Sequence, residues 1–62
     1  MRNQEWRDWE VRLCCKAVIR INDGASVYSQ VKKLWEGRLA VRTWESIRSK
    51  INRMRKEWRN KR

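Results

Sequence analysis

The chain has 62 residues, enough for one small domain, and 17 basic against 7 acidic residues give it a net charge of +10, which favours an anionic polymer or surface as its partner. It contains no apolar run of about 18 residues and no apolar segment beside the charged N-terminus, so we expect neither a membrane span nor a signal peptide. With no histidine, only two adjacent cysteines, no phosphate loop and no activated nucleophile, the sequence argues against a metal site, any other cofactor, a small-molecule substrate and an enzymatic function.

The first predicted helix runs from about Gln4 to Ile21. Its apolar residues fall on one broad half of a helical wheel, and they are Trp6, Trp9, Leu13, Cys14, Ala17, Val18 and Ile21. Asn3 is expected to cap its N-terminus. The Asn-Asp-Gly sequence that follows is expected to end it, with Asn22 or Gly24 in the left-handed conformation. Both cysteines are interpreted as buried, reduced thiols.

The second predicted helix begins after Ser26, its expected N-cap, and ends one residue before Gly37, its expected C-terminal cap. Its shared apolar face consists of Val27, Tyr28, Val31, Leu34 and Trp35. The connector at 38–42 shows no helical periodicity. We therefore expect an extended segment that tucks Leu39, Val41 or both under the helices.

The third predicted helix begins after Thr43, its expected N-cap, and ends near Asn60. Its apolar residues recur at steps of three, four, three and four, which places on one stripe Trp44, Ile47, Ile51, Met54 and Trp58. Residues 42–62 carry nine basic and two acidic residues, a net charge of +7. The sequence thus predicts one all-α domain over residues 1–62, a three-helix bundle with a helix-turn-helix and a long, basic C-terminal helix.

The sequence also predicts which tryptophans lie in the core and how one acidic residue in an apolar sector is paired. Trp6, Trp9 and Trp35 are predicted to lie within it. Trp58 continues the apolar stripe beyond the reach of a three-helix core, so it either packs on the N-terminal segment or forms an exposed patch. Glu10 lies in the apolar sector of the first helix, and we expect it to form a structural ion pair with a basic residue of the third helix.

A helix with the third segment's pattern can bind in the major groove of duplex DNA, which admits one α-helix. Arg48 is predicted to contact guanine, Asn52 adenine, and the adaptable Ser49 either base. Glu45 either accepts a hydrogen bond from a cytosine amino group or stabilises the helix start. Long cationic side chains are predicted to contact phosphates, and these are Arg42, Lys50, Arg53, Arg55, Lys56 and Arg59.

The order and spacing of certain aromatic, charged, polar and apolar residues along the three predicted helices match the pattern of a known domain family. The residues that carry this order are Trp6, Glu10, Cys14, Ala17, Val18, Tyr28, Val31, Arg42, Thr43, Ile47 and Ile51. Over residues 6–54 the pattern resembles the Myb/SANT family of three-helix, homeodomain-like domains. The resemblance implies a helix-turn-helix fold that binds DNA, with base-reading positions at Arg48, Ser49 and Asn52.

Together, these observations predict sequence-specific binding of duplex DNA, for transcriptional regulation or genome organisation. The expected location is intracellular and DNA-associated, in a bacterial or phage-host cytoplasm or nucleoid, or in a nucleus. One such domain covers a short half-site, so we expect a homodimer or a partner protein. Two alternatives stay open: a small module that binds a regulatory protein, and a basic amphipathic helix that lies on an anionic membrane or in a partner's groove.

Overall fold

The computed structural model describes residues 5–60, and this part of the chain contains three helices and no strand. The helices are α1 (Asp8–Asn22), α2 (Val27–Glu36) and α3 (Trp44–Asn60). Each helix packs against the other two. The prediction of an all-α fold with three packed helices is therefore confirmed.

Helix α1 begins at Asp8, later than predicted, so Trp6 precedes the helix instead of lying on it. Arg7 occupies the cap position with an extended backbone (φ −81°, ψ 160°), and its N–H donates to Oε1 of Glu10 at 2.9 Å. A carboxylate that binds the N–H of the cap residue fixes the start of a helix. The boundary is thus set from within α1, and the predicted cap Asn3 lies outside the described residues.

The turn between α1 and α2 depends on Gly24, which has a φ of +119°. Its N–H donates to the carbonyl oxygen of Ile21 at 3.0 Å, and the N–H of Ala25 donates to the carbonyl oxygen of Arg20 at 2.9 Å. These two hydrogen bonds form a Schellman cap. Asn22 is the last residue of α1, so of the two predicted positions it is the glycine that adopts the positive φ.

The predicted caps of α2 and α3 are confirmed. Oγ of Ser26 accepts a hydrogen bond from the N–H of Ser29 at 3.0 Å, and Oγ1 of Thr43 accepts one from the N–H of Ser46 at 3.1 Å. Gly37 ends α2 with a negative φ of −113°, so it closes the helix without entering the left-handed region. Each cap satisfies backbone groups that the end of a helix leaves without an intrahelical partner.

The connector between α2 and α3 is folded into turns and not extended as predicted. The N–H of Leu39 donates to the carbonyl oxygen of Leu34 at 2.9 Å, and the N–H of Arg42 donates to that of Leu39 at 3.0 Å. Leu39 is fully buried, whereas Val41 is 86 % exposed. Only one of the two apolar side chains is therefore tucked under the helices.

The core is built from small and branched aliphatic side chains. Its buried members are Cys14, Ala17, Val18, Ile21, Val31, Leu39, Ile47 and Ile51. Burial raises the pKa of the Cys14 thiol to about 11, so this thiol stays neutral inside the core at physiological pH. Cys15 is only half-buried, so the prediction of a buried thiol holds fully for Cys14 alone.

The tryptophans surround this core instead of filling it. Trp9 is 44 % exposed and Trp35 is 43 % exposed, so their predicted place in the core is wrong. Trp6 is half-buried and packs against the core from its edge. Trp9 and Trp35 instead have partners at the surface, since the guanidinium carbon of Arg38 lies 6.0 Å from the centre of the Trp9 ring and Trp35 packs edge to face on Trp44. Trp58 is exposed, beyond the buried part of the α3 stripe.

Candidate nucleic-acid interface

Helix α3 turns one face to the core and leaves the opposite face in solvent. Ile47 and Ile51 are fully buried, and Trp44 and Met54 are half-buried beside them. The helix has 17 residues, which corresponds to a length of about 25 Å. It carries six basic and two acidic residues, a net charge of +4. The outward face of α3 is therefore exposed to solvent, and the helix carries net positive charge.

The predicted base-contacting residues lie together on the outward face. Glu45, Arg48, Ser49 and Asn52 are all exposed. An oxygen of the Glu45 carboxylate lies 4.0 Å from Nη1 of Arg48, and these side chains are 82 % and 52 % exposed. Surface ion pairs of this kind contribute little stability. A ligand can therefore displace this one at small cost.

The predicted phosphate-contacting residues are placed in three different ways. Arg53, Lys56 and Arg59 are exposed, and they lie next to the outward face or further toward the C-terminus of α3. Lys50 and Arg55 are half-buried at its two margins. Arg55 follows Ile51 by four residues, so it lies next to the apolar stripe and not opposite it. Among the predicted phosphate-contacting residues of α3, the accessible cations are thus mainly Arg53, Lys56, Arg59 and Lys50.

Arg42 faces inward, away from the surface on which a phosphate contact was predicted. Its Nε donates to Oε2 of Glu10 at 3.0 Å, and its Nη2 donates to Oε1 of Glu10 at 2.7 Å and to the carbonyl oxygen of Glu5 at 3.0 Å. The two charged side chains are only 10 % and 4 % exposed. This buried, bidentate pair engages Nε and Nη2 of Arg42, so the side chain is not presented for the phosphate contact that was predicted.

Glu10 was expected to form a structural ion pair with a basic residue of the third helix. The carboxylate has a cationic partner, but this partner belongs to the connector and not to the third helix. The hydrogen bond from Arg42 lowers the pKa of the Glu10 carboxyl despite the opposing effect of burial, so the carboxylate is charged at neutral pH. The pair joins the start of α1 to the start of α3 across 32 positions of the chain.

Sequence reasoning missed the role of Trp6 at this junction. The guanidinium carbon of Arg42 lies 3.8 Å from the centre of the Trp6 ring, and Nζ of Lys50 lies 5.7 Å from it. The indole ring is thus packed between the connector and α3. Beside it an open groove of about 380 Å³ runs along α3, lined by Trp6, Thr43, Glu45, Ser46, Ser49, Lys50 and Arg53.

A cluster of three aromatic rings fixes the other side of α3. The ring centre of Trp44 lies 5.2 Å from that of Tyr28 and 5.6 Å from that of Trp35, the latter pair meeting edge to face. Tyr28 and Trp35 are seven residues apart on α2, so Trp44 rests over the middle of α2. Such aromatic contacts stabilise beyond the area that they bury. The outward face of α3 is therefore held between Trp6 on one flank and Tyr28 on the other.

Comparison with known protein families, with curated proteins and with solved structures found no match for this chain. Among residues 5–60, no helix is both long enough and apolar enough to cross a membrane. Within the same residues, no three acidic or cysteine side chains come together in a way that would hold a metal ion. The features that bear on function are thus the geometry and charge of α3.

Proposed function

We propose that this protein binds duplex DNA by placing α3 in the major groove. The observation that carries the proposal is the division of α3 into a buried face around Ile47 and Ile51 and an exposed face with Arg48 and Asn52. Docking of the apolar face holds the helix rigid, while the exposed face offers long donors to base edges. The margins supply cations for phosphates, which provide most of the affinity.

The proposed contacts follow from donor chemistry. Arg48 gives a bidentate hydrogen bond to guanine and Asn52 to adenine, with Ser49 as an adaptable neighbour. Glu45 is released from Arg48 and accepts from a cytosine amino group. The proposed phosphate contacts are Lys50, Arg53, Arg55, Lys56 and Arg59.

The proposal includes a helix-turn-helix formed by α2, the connector and α3, as the resemblance to Myb/SANT domains implies. The support is the position of Trp44 over the middle of α2, because α3 then crosses α2 near its own N-terminus. A single recognition helix reads only a short half-site, so useful specificity requires a second copy or a partner on the DNA. The corresponding biological role is transcriptional regulation or genome organisation by a DNA-associated protein.

Selection from a pool of random duplexes tests this function. We expect recovered sequences to share a short motif, and binding to that motif to exceed binding to a shuffled duplex by tenfold or more. Affinity for both duplexes should fall steeply with salt, because each neutralised phosphate contributes about −0.9 to the slope of log affinity against log salt. A pool without enrichment, together with salt-independent retention, would contradict the proposal.

A protein-binding module is the second candidate, and the exposed aromatic rings favour it. Trp9, Tyr28, Trp35 and Trp58 are each between 41 % and 64 % exposed. Aromatic side chains are enriched at protein interfaces. The discriminating measurement is again the salt dependence, since an aromatic interface responds weakly to salt. The third alternative, a free amphipathic helix on a membrane, requires an exposed apolar stripe, and the burial of Ile47 and Ile51 weighs against it.

A further inference from the structure

We propose that the groove between Trp6 and α3 holds one phosphate group of the DNA backbone. The inference rests on the proposed function and deepens it, because it assigns one flank of α3, including Ser49, to the backbone and leaves Arg48 and Asn52 for the bases. The groove is lined by Trp6, Thr43 and five side chains of α3. One of the five is the acidic Glu45, and the four that carry hydrogen-bond donors are Ser46, Ser49, Lys50 and Arg53.

The four side chains form one stripe, because they are spaced by three, one and three residues along α3. The stripe offers two cationic groups and two hydroxyls on the same side of the helix. A phosphodiester carries one negative charge on two free oxygens, and both kinds of donor bind such oxygens. The chemistry of the stripe therefore matches a phosphate.

The donors of the groove are not engaged elsewhere in the described part of the chain. Neither hydroxyl of Ser46 and Ser49 forms a hydrogen bond with any residue from 5 to 60. In the same residues neither Lys50 nor Arg53 has a carboxylate within ion-pair distance, and the carboxylate of Glu45, which also lines the groove, lies 4.0 Å from Arg48. Positive charge without a nearby counter-ion attracts an anion.

The wall of the groove is held in place before any ligand binds. Trp6 stacks against the guanidinium of Arg42, and the Glu10 carboxylate fixes that guanidinium with two hydrogen bonds. The indole ring and Lys50 are both half-buried, which restricts their motion. A preformed site loses less conformational entropy when a ligand binds. Arg42 thus acts as a positioning residue for the groove and not as a phosphate contact.

Titration with inorganic phosphate at constant ionic strength tests the groove by itself. In ¹H–¹⁵N NMR spectra, we expect saturable shifts that are concentrated at Ser46, Lys50, Arg53 and the indole N–H of Trp6. Lys50→Gln and the exposed Arg53→Gln should each reduce these shifts at least threefold. In the control Lys16→Gln, which changes an exposed lysine of α1, the shifts should remain. Shifts spread evenly over all cationic surfaces would overturn the proposal.

Binding to a mixed-sequence duplex tests whether the phosphate belongs to the DNA backbone. Lys50→Gln should reduce the slope of log affinity against log salt by about one, and Lys16→Gln should leave it unchanged. Ser46→Ala should weaken binding by about three- to tenfold on every duplex sequence.

The outcomes separate the groove from the proposed function. If the wild-type protein binds the duplex but Lys50→Gln leaves the slope unchanged, the groove proposal fails and the proposed function stands. If phosphate shifts are localised in a protein that does not bind duplex DNA, the proposed function and the backbone assignment both fail, and only a site for a free phosphate group is supported.

Discussion

At the scale of single residues, the outward face of α3 divides into groups with different expected effects on DNA binding. Arg48 and Asn52 are exposed on the side opposite the buried stripe, where a base edge would lie. Lys56 shares this exposure but ends in a single ammonium group, which suits a phosphate better than a base. The distinction can be measured, because base contacts change specificity and phosphate contacts change affinity for all sequences.

We expect Arg48→Ala and Asn52→Ala each to weaken binding to the selected duplex by about 1–3 kcal/mol, with a much smaller effect on a shuffled duplex. Lys56→Ala should weaken binding to both duplexes equally and reduce the salt slope by about one. Fluorescence anisotropy with labelled duplexes gives all these values. Equal losses on both duplexes for all three variants would refute the assigned roles.

The buried pair of Glu10 and Arg42 gives a prediction about stability. Glu10→Gln leaves a buried guanidinium without its counter-charge, so we expect the free energy of unfolding to fall by about 2–4 kcal/mol at pH 7. The matched control is Glu45→Gln, which breaks the exposed pair with Arg48 and removes the acidic residue from the first turn of α3, and it should cost less than about 1 kcal/mol. Chemical denaturation followed by circular dichroism measures both. Similar losses in the two variants would contradict the structural importance of the buried pair.

The same pair predicts how stability depends on pH. Because the pKa of Glu10 is lower in the folded state than its ordinary value of 4.5, its contribution is fully present above pH 4.5 and is lost as the pH falls below that value. In Glu10→Gln this part of the acid dependence should be missing. An unchanged acid profile in the variant would indicate that another carboxylate is responsible.

At the scale of elements, sequence reasoning succeeded where structure depends on local chemistry. Ser26, Gly37 and Thr43 were correctly predicted as caps, since a cap needs only one residue type at one position. It failed where the position of a side chain depends on a residue that is far away in the sequence. The direction of Arg42 depends on Glu10, which lies 32 residues away in the chain and meets that arginine only in the packed fold. The groove beside Trp6 could not be predicted for the same reason.

The cap of α2 can be tested without touching the core. We expect Ser26→Ala to reduce the free energy of unfolding by about 1 kcal/mol, because the N–H of Ser29 loses its hydrogen-bond acceptor. Ser26→Asp keeps an acceptor at this position and should retain most of the stability. Thermal unfolding followed by circular dichroism compares the two. A loss of the same size in Ser26→Asp would show that the hydroxyl acts in some way other than capping.

At the scale of the whole molecule, a small core must hold together a strongly charged chain. The eight core side chains that are buried within residues 5–60 are opposed by the mutual repulsion of a net charge of +10. Only one of the ion pairs among residues 5–60 is buried, and the other two are long and exposed, at 4.0 Å. Added salt therefore screens more repulsion than attraction.

We accordingly expect the melting temperature to rise by several degrees between about 10 mM and 500 mM sodium chloride. The control is Glu10→Gln, which should show at least the same rise because it has one attractive pair less. Calorimetry or circular dichroism at a series of salt concentrations measures the change. A melting temperature that falls with salt would mean that attractive pairs dominate the folded state.

The contact of Trp44 with Tyr28 and Trp35 has a practical consequence. Rings at such short separations couple electronically, so we expect the three chromophores to give a joint signal in absorption and emission. Trp44 belongs to α3, whereas Tyr28 and Trp35 belong to α2. Any shift of α3 against α2 would therefore alter the near-ultraviolet dichroism and the emission of this group. The protein thus contains an intrinsic optical reporter of how α3 is seated, and no dye has to be attached to follow it.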